Sequence, residues 1–186
     1  NGIGPLQTAR QKYGQIIPVN SNEASRAFSI IPALEAMKSQ VGAIYLTPWG
    51  GSSGIPGNVV STENQASALA YLVMTRKILE ENNDTNFVPR VDALMSGVKD
   101  YYRLRAYNTA TRLFNQGGTV NTNTGAWTPD TKFAIDTTTF TILALLEALK
   151  DEGGITTIDS WYGEVGSAKF IWDRSKSSVR AGHYVD

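Results

Sequence analysis

The amino-acid sequence predicts an all-α fold of antiparallel helical hairpins, with long Gly/Asn-rich loops between them. Five segments carry apolar residues at the three-to-four-residue spacing of a helix. The composition, 41% hydrophobic and 18% charged, indicates a folded globular body. Two long loops each lead into one of the predicted helices. We therefore expect residues 1–186 to form a single helical domain.

The first two helical segments have recognisable start signals. The first runs from Asn22 to Gln40, and Pro32 inside it predicts a kink or a new helix start. The second runs from Ser61 to about Glu81 and has the clearest apolar stripe. Thr62 and Gln65 have the spacing of a capping box at its beginning.

The other three segments lie in the second half of the chain. The third helix is expected to begin near Pro89, because proline favours the first helical turn. The fourth is expected to start with Asp136 as its N-cap and to run to Lys150, before two glycines. The fifth starts at Asp159.

Residues 46–60 and 115–135 form the two long connections. Both are rich in Gly, Asn, Thr and Pro, and each contains one Trp. Loops longer than about 12–15 residues are uncommon in compact domains unless they are functional or disordered. Their similar composition predicts a structural repeat of long loop, inner helix, short turn and outer helix.

Composition excludes several classes of function. Seventeen basic residues balance seventeen acidic ones, which leaves no electrostatic signal for nucleic acid. No apolar run approaches the roughly 20 residues of a membrane span. Without cysteine, and with His183 as the single histidine, the chain offers no thiol nucleophile, no His-based triad and no multi-His metal site. No cofactor is implied.

Glu63 and Asp136 are the candidate catalytic residues. Each lies in the first turn of a helix that follows a long loop, and 73 positions separate them. One interpretation is structural, because a first-turn carboxylate is stabilised by free N–H groups and the helix dipole. The other is a pair of carboxylates across a glycosidic bond, about 5–5.5 Å apart for retention or 6.5–9.5 Å apart for inversion.

Candidate substrate-binding residues lie in the same regions. Trp49 and Trp127 are placed in the long loops, where an indole suits stacking on a sugar ring or plugging the end of a helical array. Asn64, beside Glu63, and Tyr71, two turns later, are further candidates for contact with a sugar.

Two stretches carry a resemblance to a known superfamily. Val60–Gln65 with Ala68–Leu72, and residues 133–145, resemble inner helices of the six-hairpin (α/α) toroids. Residues 158–163 are similar to the outer helix that follows. The superfamily contains glycoside hydrolases, glycan lyases and sugar epimerases. A full ring has twelve helices, so the resemblance implies that this chain is a fragment of a larger toroid.

The resemblance also bears on the site. In family-8 glycoside hydrolases the acid lies in a turn of the type S/T-E-G-Q, where Glu63 falls here, with Asn64 in place of the glycine. It implies an extracellular or cell-surface protein that hydrolyses a polysaccharide, with the glycan, the rest of the ring or a second copy as partner. The alternative is a non-catalytic surface or appendage protein that uses the helices as a scaffold, because fold does not determine activity.

Overall fold

The computed structural model describes residues 3–14, 16–48, 54–132 and 134–162 of the chain. Its α-helices there are α1 (Ile3–Tyr13), α2 (Asn22–Phe28), α3 (Ile31–Ala36), α4 (Thr62–Glu81), α5 (Val88–Tyr101), α6 (Ile135–Ala148) and α7 (Ile155–Tyr162). Its strands are β1 (Val59–Ser61), β2 (Tyr107–Asn108), β3 (Leu113–Phe114), β4 (Gly117–Val120) and β5 (Trp127–Asp130). A π-helical turn, Tyr102–Ala106, follows α5, and a 3₁₀ turn, Lys150–Glu152, follows α6.

The strands form two antiparallel sheets, so the prediction of an all-α fold is wrong. One sheet has the order β1-β4-β5, and the other is the hairpin β2-β3. The segment predicted as the second long loop is therefore largely a β-hairpin. Its turn is closed by a hydrogen bond from Asn121 N–H to Ala126 C=O of 2.8 Å.

The composition of this hairpin does not predict its strands. Gly117 and Gly118 open β4, and Pro129 lies in β5, although glycine and proline are depleted from strands in general. A Cβ atom on Gly117 would collide with the carbonyl oxygen of Val60, and one on Gly118 would collide with the Trp127 ring. Pro129 is tolerated because β5 lies at the edge of the sheet.

The helix starts follow local signals, but α7 begins at Ile155 rather than at the expected Asp159, and the caps of α4 and α6 differ from those expected. Pro32 and Pro89 lie in the first turns of α3 and α5. The N-cap of α4 is Ser61, whose side chain accepts a hydrogen bond from Asn64 N–H. Asp136 is not the N-cap of α6, since Ala134 holds that position and Asp136 lies within the first turn.

The helices pair as hairpins around one apolar core. The α4–α5 pair is joined by an ion pair of 2.6 Å between Arg76 Nε and Asp92, and α6 is followed by α7 after the 3₁₀ turn. The α4 helix packs along both α5 and α6. The core includes the fully buried Leu69, Val98 and Leu145. Among the described helices, none is long and apolar enough to cross a membrane.

Candidate functional site

The sheet places the starts of α4 and α6 side by side. β1 and β5 both pair with β4 in the antiparallel sense, so they run parallel to each other. Ser61, Gly117 and Asp130 form one row across the sheet. Two strand spacings separate the outer members of this row by roughly 10 Å. The α4 helix begins directly after Ser61, and α6 begins soon after Asp130, so both helices follow the same end of the strands.

The α4 and α6 helices then run in register beside a shallow groove of about 320 Å³, called the α4–α6 groove below. Its walls come from both helices and consist of Ala66, Ser67, Ala70, Phe140, Leu143, Ala144 and Glu147. Ser67 and Phe140, like Ala70 and Leu143, differ by the same 73 positions as Glu63 and Asp136. The two carboxylates precede these wall residues by four and seven positions.

Residues four and seven positions apart share a face of a helix. Glu63 and Asp136 therefore lie on the two faces that form the groove, one turn beyond its N-terminal end. They are not themselves part of the groove walls. The structure thus brings together helix faces that carry both predicted catalytic residues.

The side chain of Glu63 is half-buried and is not needed for helix capping. The cap is supplied by the Ser61 hydroxyl, 3.3 Å from Asn64 N. Among the described residues, no hydrogen bond or ion pair engages the Glu63 carboxylate.

The side chain of Asp136 is also half-buried, but it is held in place. Its Oδ1 accepts a hydrogen bond from Thr137 N–H of 2.8 Å. Thr139 Oγ1 donates to the Asp136 carbonyl oxygen at 3.1 Å. These two bonds orient the first turn of α6 and its carboxylate.

Two buried tyrosines form hydrogen bonds with Thr62 in the first turn of α4. Tyr101 Oη and Thr62 Oγ1 are 2.7 Å apart, and Tyr102 Oη donates to the Thr62 carbonyl oxygen at 2.8 Å. Burial raises the pKa of both phenols well above the ordinary value, so both hydroxyls remain protonated. The backbone that carries Glu63 is therefore fixed on its inner side.

A second cavity, of about 400 Å³, lies on the other side of α4 against α3 and residues 44–46. Asn64, Ser67 and Tyr71 contribute to its walls, and Ser67 also belongs to the α4–α6 groove. Asn64 is exposed and accessible to a ligand. The Tyr71 side chain is buried, and its hydroxyl donates to the Ala27 carbonyl oxygen at 2.7 Å, which leaves it a structural contact.

Of the two predicted aromatic platforms, Trp127 is not part of the α4–α6 groove. Trp49 lies outside the described residues. Trp127 is half-buried on β5, where its ring meets Tyr101 edge-on with 5.5 Å between centroids. Its indole N–H is buried without a partner among the described residues. Most of the Trp127 ring is thus used in packing against the sheet and α5.

The exposed aromatic residue of the groove is Phe140, which the sequence analysis did not select. Threonines flank it at positions 139 and 141, so it stands just before the apolar run that begins at Ile142. Its position four residues after Asp136 is the signal that could have identified it. The described ranges contain no group of three or more His, Asp or Glu side chains that could hold a metal ion.

Comparison with known proteins identified no relative of the chain. The chain matches no protein-family model, no curated protein and no solved structure at a significant level.

Proposed function

We propose that the chain processes polysaccharides and that Glu63 and Asp136 hydrolyse a glycosidic bond. The observation that supports this is their equivalent placement on two adjacent, parallel helices at one end of the α4–α6 groove. A polymer lying in the groove would present a bond to both carboxylates. A polysaccharide substrate also agrees with the extracellular location expected from the sequence.

We expect inversion at the anomeric carbon. Packed helices have axes about 8–10 Å apart. Inverting enzymes keep their carboxyl groups about 6.5–9.5 Å apart, which leaves room for a water molecule. Retaining enzymes need about 5–5.5 Å, less than two adjacent helices provide without converging side chains.

The two carboxyl groups differ in a way that suits different roles. Glu63 has no partner among the described residues, so its side chain is available to approach the leaving-group oxygen as the general acid. Asp136 is oriented by the Thr137 N–H, which suits the base that positions the attacking water. General acid–base catalysis of this type contributes about 10²–10⁴-fold to the rate for each group.

The first test is the release of reducing sugars from a panel of α- and β-linked polysaccharides. Glu63→Gln and Asp136→Asn should each lower the rate at least about 100-fold, with an unchanged far-UV circular dichroism spectrum. Glu80→Gln is the matched control, because Glu80 is an exposed carboxylate near the other end of α4. Proton NMR of the first product should show inversion.

Two outcomes would contradict the proposal. If neither substitution changes the release of sugar, the carboxylates are structural. If the intact protein releases no sugar from any member of the panel and binds none of them, the scaffold alternative replaces the enzyme.

A further inference from the structure

A pocket of about 530 Å³, called the α5 pocket below, lies between the turn at residues 38–42 and α5. It shares no wall residue with the α4–α6 groove. Its lining also includes Leu104 and Arg105 of the π-helical turn that follows α5. The volume is within the range typical of small-molecule sites. Because π-helical turns are frequent at functional sites, the pocket is a candidate for ligand binding.

The position of Lys38 in this pocket depends on two glycines. The turn meets α5 so closely that a Cβ atom on Gly97 would lie 2.7 Å from the Gly42 carbonyl oxygen. The same atom would lie 3.0 Å from Lys38 Cε, so the lysine side chain passes over Gly97. Lys38 Nζ donates to the Ala93 carbonyl oxygen at 3.2 Å. An ammonium group has three donors, so two of its N–H groups remain for a ligand.

The side chains of the α5 pocket carry an excess of positive charge. Its cations are Lys38 and Arg105, and neither forms an ion pair with a described residue. The carboxylate of the pocket, Asp100, is paired with Arg103 at 2.9 Å. The charges of Lys38 and Arg105 are therefore available to an anion.

Uncharged hydrogen-bond donors line the same pocket. Ser96 is exposed on α5, and its hydroxyl has no partner in the described ranges. The backbone N–H groups of Gln40 and Val41, in the turn, also lack a partner within the described part of the chain. The pocket thus combines two charged donors with several neutral ones. Such a set favours an anion that has several acceptor oxygens.

We propose that the α5 pocket binds the phosphate group of a small phosphomonoester, which contacts Lys38 and Arg105. A phosphomonoester carries a charge of about −1.5 to −2 at pH 7 and three acceptor oxygens, which match two cations and several N–H donors. A carboxylate or a sulfate ester has a single negative charge and would leave one cation without a partner. Leu104, which is 61% exposed, supplies an apolar contact for the organic part of the ligand. This site is independent of the proposed function.

Isothermal titration calorimetry of the whole chain with phenyl phosphate tests the proposal. Phenyl sulfate, a monoanion of similar shape, should bind at least about tenfold more weakly. Lys38→Ala and Arg105→Ala should each weaken phenyl phosphate binding by about tenfold or more, because each removes a charged donor. Lys77→Ala and Arg26→Ala are the matched controls, since each removes an exposed positive charge outside the pocket.

Ser96→Glu tests the same site by adding a charge instead of removing one. The new carboxylate would lie in the pocket with the two cations, so phenyl phosphate binding should be lost while the far-UV circular dichroism spectrum is unchanged. Inorganic phosphate distinguishes a free anion from an organic ligand. It should bind more weakly than phenyl phosphate, because it makes no contact with Leu104.

Four results would overturn the proposal or a part of it. Equal losses in the two control variants would show that binding follows net charge and that the α5 pocket is not the site. Equal affinity for phenyl sulfate would overturn the assignment to phosphate. Equal affinity for inorganic phosphate would overturn the organic ligand. Absence of phenyl phosphate binding by the unmodified chain would overturn the proposal as a whole.

Discussion

Gln65 is the residue through which the start of α4 holds the segment before β1. Its side-chain amide accepts from Ile44 N–H at 2.8 Å and donates to Ile44 C=O at 2.7 Å. A β-bridge joins Lys38 and Ile44, but its hydrogen bonds use the neighbouring residues. The backbone N–H and C=O of Ile44 therefore have the Gln65 side chain as their hydrogen-bond partner.

We expect Gln65→Ala to lower the free energy of unfolding by about 3 kcal/mol, because two buried backbone groups lose their partner at about 1–3 kcal/mol each. Asn64→Ala, at the exposed neighbouring position, should change it by less than about 0.5 kcal/mol. Urea denaturation followed by circular dichroism measures both. A loss below about 1 kcal/mol for Gln65→Ala would show that water replaces the amide.

The role of Gln65 also shows what local sequence patterns leave undetermined. The spacing of Thr62 and Gln65 predicted a capping box, but Ser61 caps the helix and Gln65 bonds a residue 21 positions earlier. A capping box and a bond to a distant segment both place a glutamine in the first turn. Only the tertiary approach of residue 44 decides which bond forms.

At the scale of elements, the threonines of α6 pack against the core with unequal hydrogen bonding. Thr138 is fully buried, and its hydroxyl has no partner among the described residues. Thr62 on α4 is equally buried, but its hydroxyl is 2.7 Å from the Tyr101 hydroxyl. The same substitution at these two sites should therefore have opposite effects.

Thr138→Val should raise the free energy of unfolding by about 1 kcal/mol, since it removes an unsatisfied buried hydroxyl and keeps the side-chain shape. Thr62→Val should lower it by about 1–3 kcal/mol, because Tyr101 loses its partner. Thermal unfolding of the two variants beside the parent protein gives the comparison. A destabilised Thr138→Val would mean that the hydroxyl is satisfied by bound water.

The helices were predictable and the strands were not. Proline in the first turn marks α3 and α5 in the sequence, and a regular apolar stripe marks α4. α1 lacks such a stripe and was missed, although it is eleven residues long. The strands β4 and β5 depend on glycines that allow a close approach to Val60 and Trp127, and this requirement becomes visible only when the partner strand is known.

At the scale of the whole molecule, phenols with a raised pKa link folding to alkaline pH. Burial raises the pKa of Tyr101, Tyr102 and Tyr162 above the ordinary value of 10.0. In the unfolded chain the same groups ionise near pH 10, so unfolding releases protons above that pH. The stability that depends on protonated phenols is complete below about pH 10 and is lost as the pH rises further.

We expect the free energy of unfolding to be nearly constant from about pH 8 to 9.5 and to fall steeply above pH 10. Each buried phenol contributes up to about 1.4 kcal/mol per pH unit, or about 4 kcal/mol for three. Urea unfolding at stepped pH, with tyrosinate absorbance recorded in parallel, tests this. Tyr162→Phe should reduce the slope by up to about 1.4 kcal/mol per pH unit, and an unchanged slope would contradict the assignment.

The adjacency of the starts of α4 and α6 was predictable from chain order, but the groove beside these helices was not. Matching loops before Glu63 and Asp136 suggested equivalent places in the fold, and the two helices do begin at one edge of a sheet. The α4–α6 groove arises only when α6 lies against the small residues of α4. For that reason Phe140 was overlooked. The edge-on packing of Trp127 against Tyr101 agrees with the alternative interpretation of this indole as a packing residue.

The pairing of β1 with β4 has a consequence for the order of events during synthesis. Ser61 pairs with Gly117, which leaves the ribosome 56 residues later. At about 5–20 residues per second, β1 waits roughly 3–11 seconds for its partner strand. The α4–α5 hairpin is complete within this interval, whereas α6 emerges after β5. Glu63 therefore leaves the ribosome 73 residues before Asp136, and the face bearing both carboxylates is assembled only after α6 has emerged.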